Sequence, residues 1–202
     1  MSKVYLHPLP VRIWHWANAF IVFVLIVTGI QLRMPSVHIF QDYRILVLLH
    51  KYFGFALAGS FLFWFFYYVP TGGLKKHYLM GFKDIKGMPR QALYYIFSTF
   101  RRESNPFNPS PDNKFNPMQK LTYSSVMFIL VPVITITGIM FSDILFFFSW
   151  INAIGGLRVL DAIHVSAAYV FVFYLLVHLY MSTLGPKFHS HVKGIITGYE
   201  EE

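Results

Sequence analysis

The chain has 202 residues, 55% hydrophobic and 13% charged, with a mean hydropathy of +0.50 and a formal charge of +8. A soluble domain carries nearer a quarter charged residues, so the composition points to an integral membrane protein with little soluble mass, and the basic excess reads as membrane topology rather than nucleic-acid binding. The absence of cysteine excludes disulfides, an iron–sulfur cluster held by this chain and covalently attached CxxCH haem.

Met1 to Val11 holds Pro8 and Pro10 and reads as irregular. Residues 12–32 form the first predicted span, with Arg12, Trp14 and Trp16 as interfacial anchors and His15 in the same turn. No cleavable signal peptide is expected, because this apolar run is long enough to span and no small-residue cleavage site follows it. Residues 44–69 form the second span, with His50 near its start and Pro70, Gly72 and Gly73 at its end. Thr71 to Gln119 is the long hydrophilic stretch, and it contains Arg101 and Arg102. Within it, Pro89 to Phe100 reads as a short amphipathic helix lying on the membrane surface. Residues 104–117, rich in Pro and Asn, read as irregular. Residues 120–141 form the third span, with Pro132 as a candidate kink. Phe146 to Leu160 reads as an apolar loop or short interfacial element. Residues 161–184 form the fourth span, stopped by Gly185 and Pro186. The expected fold is an all-α, four-helix transmembrane bundle, a single domain over residues 1–202.

Four spans put both termini on one side. Thirteen of the Lys and Arg residues, Lys187 among them, fall on that side and four on the other: Arg33, Arg44, Lys51 and Arg158. The bias predicts cytoplasmic termini and a cytoplasmic long loop.

The two halves echo each other. VTGIQL at 27–32 answers ITGIMF at 136–141, and Arg44-x5-His50 answers Arg158-x5-His164. Fourteen residues before Gly29 stands His15; fourteen before Gly138 stands Ser124. Fourteen after His50 stands Trp64; fourteen after His164 stands His178. Two hairpins of the same orientation make this a parallel repeat.

Ionisable groups inside a membrane span are expensive and point to function. His164 and His178 are 14 residues apart, which at 1.5 Å per residue is about 21 Å of rise along one stripe of a helix. The predicted topology sorts the four span histidines by depth: His15 with His178 near the inner face, and His50 with His164 near the outer face. An imidazole on each side is the ligand set of a six-coordinate electron-transferring haem, which cannot bind oxygen or substrate at iron. A zinc or copper site needs its ligands at one depth, and these are split between two. A lone membrane histidine otherwise serves as an interhelical hydrogen-bonder. Gly29 and Gly138 suit close approach of a haem plane, or equally helix packing. Arg12, Arg44, Lys51 and Arg158 stand at depths suited to haem propionates, or equally to snorkelling. His7, His38, His77, His189 and His191 read as solvated surface residues.

RIWHW at the first span, His50, the His164/His178 pair, FNPMQKLTY at 115–123 and HVKGIITGYE in the tail together resemble the cytochrome b subunits of membrane-bound formate dehydrogenases, thiosulfate reductases and NiFe hydrogenases. The resemblance covers nearly the whole chain. It implies two haem b groups and a quinone site beside the inner haem, with Asn116 and Gln119 at the pocket; helix capping is the alternative role for Asn116. Met118 stands where formate dehydrogenase relatives have glycine.

The function these readings imply is transmembrane electron transfer in the prokaryotic inner membrane. The partners would be peripheral iron–sulfur and catalytic subunits on the outer face. Menaquinone or ubiquinone would react near the cytoplasmic face, with no catalytic residue and no other substrate site on the chain itself. The spans lack a mid-depth Asp, Glu or Lys, which argues against a proton pump. The competing readings are a stand-alone quinol-oxidising cytochrome that reduces small acceptors, and a haem-free membrane anchor.

Overall fold

The computed structural model describes residues 3–98, 101, 103–107, 109–110, 113–184 and 189–201. Phe100, Arg102, the Gly185-Pro186 stop and Lys187 lie outside the described residues. The elements in order are β1 (Lys3–Tyr5), α1 (Leu9–Arg33), α2 (Tyr43–Tyr68), α3 (Phe82–Leu93), α4 (Pro117–Ser125), α5 (Val131–Ser142), α6 (Phe148–Ala153), α7 (Leu157–Ser182), α8 (Ser190–Thr197) and β2 (Tyr199–Glu201).

Four stretches are long and apolar enough to cross a membrane: α1, α2, the continuous run Pro117–Ser142, and α7. They have 25 or 26 residues each, roughly 38 Å of helix against a hydrocarbon layer of about 30 Å. All four sit where the apolar runs predict them, and the differences at their ends have local causes. α1 begins at Leu9, ahead of the predicted start at Arg12, because Pro10 falls in its first turn, where a missing N–H costs nothing. Gly155 and Gly156, at φ +107° and +90°, reverse the chain so that α7 starts at Leu157 rather than Asp161. Pro132 denies an N–H to the helix, and a π-type turn over Val126–Leu130 directly precedes it.

Two expectations about secondary structure are corrected. The N-terminal segment is not wholly irregular: β1 pairs antiparallel with β2, Tyr5 opposite Tyr199. Gly198, at φ +93°, turns the chain after α8, and its carbonyl accepts from the Leu6 and His7 amides. A Cβ on Gly198 would lie 2.7 Å from the Tyr5 ring, so only glycine fits there. The long loop's helix starts at Phe82, not Pro89, and passes through Pro89 before a π-type turn over Tyr94–Ser98. Its start is set by a reciprocal cap, in which the Gly81 amide donates to Asp84 Oδ2 at 2.8 Å and the Asp84 amide to the Gly81 carbonyl at 3.0 Å.

The chain forms two compact units. One comprises residues 13–64 and 129–178; the other comprises 1–12, 65–128 and 179–202. In the first, Met140, Ile151 and Leu160 form a closed cluster backed by Phe141 and Phe147, which seals the α5–α6–α7 turn. Lys51 Nζ donates to the Ser142 carbonyl at 3.1 Å, and Arg33 pairs with Asp161 at 3.6 Å. In the second, Tyr68, Tyr78, Phe115 and Tyr123 make edge-on aromatic contacts. Phe115 also packs on His77, which is 6% exposed and therefore not the solvated residue its loop position predicts. Arg12 donates to the Ile196 carbonyl at the end of α8, a favourable place for a cation.

Candidate functional site

Within the 13–64/129–178 unit, the candidate side chains lie at the contacts between helices. Trp14 Nε1 donates to the Ser60 carbonyl at 2.9 Å, and Ser60 Oγ donates to Asn18 Oδ1 at 2.9 Å. These bonds hold the register of α1 against α2. On that register Thr28 Oγ1 lies 2.8 Å from His50 Nδ1. In the second half Thr137 Oγ1 lies 2.8 Å from His164 Nδ1.

The hydroxyl geometry assigns the proton on each ring. A threonine hydroxyl has one proton. Thr28 directs its proton to the Val24 carbonyl at 2.7 Å, and Thr137 to the Val133 carbonyl at 2.7 Å. With that proton on the carbonyl, each oxygen accepts from the imidazole, and in this arrangement Nδ1 is the protonated nitrogen. That leaves Nε2 as a bare lone pair, the form that binds metal.

Gly29 and Gly138 complete the two niches. A Cβ added to Gly29 would meet His50 Cε1 at 3.4 Å, and one added to Gly138 would meet His164 Cε1 at 3.4 Å. Each glycine lets an imidazole lie against the helix backbone. The consecutive Thr-Gly of both halves thus acts as one unit: threonine orients the ring and glycine makes room for it. The sequence reading singled out the glycines and missed the threonines, although the echoed VTGIQL and ITGIMF contain both. Thr28 is fully buried and Thr137 nearly so.

All four predicted histidines lie in two pairs. The His50 and His164 ring centroids are 6.4 Å apart, and those of His15 and His178 are 6.2 Å apart. Two imidazole–metal bonds of about 2 Å on opposite sides of one ion place the ring centroids roughly 6 Å apart. Both pairs therefore fit an axially ligated iron. The surroundings differ. His164 meets the edge of Phe141 at 5.7 Å, whereas His15 meets Trp16 at 5.4 Å and His178 meets Tyr174 at 5.9 Å. Packing on the rest of the chain buries only 11%, 11%, 28% and 6% of the most apolar windows of the four spans in chain order. A bundle whose core was filled by its own side chains would bury a broad stripe of each helix.

Arg12, Asn116 and Gln119 lie in the second unit, whereas Arg44, Lys51 and Arg158 lie in the first. Arg12 Nε is buried and has no hydrogen-bond partner among the described residues, a donor suited to a propionate. Asn116, 2% exposed, caps α4: its Oδ1 accepts from the Gln119 amide at 2.9 Å and its own amide donates to Gln119 Oε1 at 3.1 Å. Its Nδ2 donates to the Tyr95 hydroxyl at 2.7 Å. Helix capping is thus a role Asn116 does play. Gln119 Nε2 keeps no protein acceptor among the described residues. Burial pushes the Tyr95 phenol up from its ordinary range, against the opposing hydrogen bonds of Asn116 and Gln91, so it keeps its proton.

Beside this cap lies a pair that sequence reasoning passed over. Lys120 Nζ contacts both Asp84 oxygens, at 3.1 and 3.0 Å. Their side chains are 6% and 12% exposed. Attraction at this distance is worth about 5 kcal/mol at an effective dielectric of 20. Desolvation costs several kcal/mol per ion, so the pair adds little net stability. Nothing local in the sequence links positions 84 and 120; only the packing of α3 on α4 does.

Comparison with known proteins identifies the family. The Escherichia coli K12 protein named "Putative cytochrome YdhU" is 29% identical over 204 residues, covering 98% of this chain and 75% of that one. The family model described as prokaryotic cytochrome b561 matches residues 6–198. The chain belongs to the prokaryotic cytochrome b561 family, and it is a membrane cytochrome of the b type that serves electron transfer.

Proposed function

We propose that this chain carries electrons across the prokaryotic cytoplasmic membrane through two bis-histidine haem b groups. It would link a peripheral iron–sulfur subunit on the outer face to a quinone or quinol near the cytoplasmic face, as the cytochrome subunit of a dehydrogenase, hydrogenase or reductase complex. The observation that carries the reading is the pairing of four span histidines into two couples with 6.2 and 6.4 Å ring separations. Bound in such a couple, haem b supplies a one-electron carrier. His50 with His164, and His15 with His178, would each hold one haem, and a histidine pair on one iron would keep oxygen and substrate off it. His164 and His178 share α7 and stand about 21 Å apart along it, so the two couples lie at different depths. The Gln119 Nε2 donor, beside the capped Asn116 and the protonated Tyr95, supports a quinone head group at the start of α4. The bias of Lys and Arg toward the side of the termini supports a cytoplasmic location for that site.

Haem quantification on purified protein, with reduction by menadiol, tests this reading. Two b-type haems per chain, reduced by the quinol, are expected. One haem or none per chain overturns it.

A further inference from the structure

We propose that the buried Asp84–Lys120 pair is the proton route between bulk water and the quinone. This inference rests on the quinone reading above. Lys120, 5% exposed, is the one Lys, Arg, Asp or Glu among the buried residues described. Its side-chain hydrogen bonds among the described residues go to Asp84 alone. Asp84 in turn lines a groove of about 250 Å³ with Lys83, Arg90, Gln91, Asn113 and Phe107. One end of the pair therefore meets the groove. Lys120 itself follows Gln119 directly and lies one helical turn after Asn116. A purely mechanical staple is not needed here, because α3 and α4 already touch. A Cβ on Gly87 would come within 3.2 Å of Pro117 Cγ.

The chemistry requires such a route. Converting a quinone to a quinol takes two electrons and two protons. The electrons come one at a time from the reduced b-type haem of the proposed pathway. For each proton, the Lys120 ammonium releases one toward the quinone oxygen and becomes an amine. The Asp84 carboxylate then takes a proton from groove water and passes it to that amine, which restores the ion pair. Quinol oxidation runs the same steps backward, with both protons leaving through Asp84.

The experiment is stopped-flow haem reduction by menadiol on the haem-loaded protein, in water and in deuterium oxide. K120R keeps the charge and the contact with Asp84, but an arginine does not give up its proton in a protein. Its haem content and its reduction by dithionite should match wild type. Its reduction by menadiol should slow by at least about tenfold, with a larger solvent isotope effect. D84N should slow likewise, and D84E, which keeps an exchangeable carboxyl proton, should recover the rate. K120R reacting with menadiol at the wild-type rate and isotope effect overturns the proposal and leaves the quinone reading intact. Wild-type haems reduced by dithionite but not by menadiol overturn the quinone reading itself, and this proposal with it.

Discussion

The two histidine couples share one chemistry and are built in two ways. His50 and His164 occupy equivalent positions in the two halves, and each is set by the same Thr-Gly unit at the same 2.8 Å and 3.4 Å distances. His15 and His178 are not equivalent. Their repeat counterparts are Ser124 and Trp64, and the ring neighbours beside them are Trp16 and Tyr174. A doubled hairpin produces a symmetric couple without further invention, because one imidazole niche is copied. The second couple breaks the symmetry, with one histidine kept at one end of each half. Ser124 has other work, donating to the Tyr78 carbonyl, and Trp64 is 1% exposed in contact with Phe61.

The strongest way to break this comparison is to remove one ring. H50A and H164A should each cut haem from two to one per chain and leave the spectrum of the other haem in place, as read by pyridine haemochrome and low-temperature absorption. H15A and H178A should do the converse. Loss of both haems from any single substitution would show that the couples are not separate sites.

Bulk at the glycines should come next. The 3.4 Å clearance admits a methyl group, so G29A and G138A should retain full haem. G29L and G138L should drive the imidazole off its place and empty the His50/His164 site, with equal losses in the two halves. Haem content per chain checks this, and unequal losses would count against the symmetric niche.

T28V and T137V should act more gently and on one couple only. Each removes the acceptor for an Nδ1 proton, so the imidazole donates less charge to iron and the reduction potential rises, on the order of tens of mV. Redox titration should find one potential moved and the other still.

The smallest effect is expected outside the couples. N116A loses a cap worth about 1 kcal/mol and the contact to Tyr95. Thermal unfolding should register the loss of stability while both potentials stay unchanged.

The helical class and the four spans were legible in the sequence, because a bilayer imposes its own length scale on apolar runs and makes an imidazole within one conspicuous. Pairing by depth followed from the 14-residue offset between His164 and His178 together with the predicted direction of each span and the place of His15 and His50 near the start of theirs. Other features depended on partners distant in the chain. The cap that starts α3 at Phe82 is local, but β1 exists only because β2, nearly two hundred residues on, returns to meet it. His77 is buried with the Phe115 ring packed on it. The Thr28 and Thr137 hydroxyls are ordinary helix residues until α2 and α7 bring a ring to each. Periodicity and composition report what one helix presents to its solvent. Which nitrogen carries the proton, and which lysine loses its water, is settled only when a second helix supplies the acceptor.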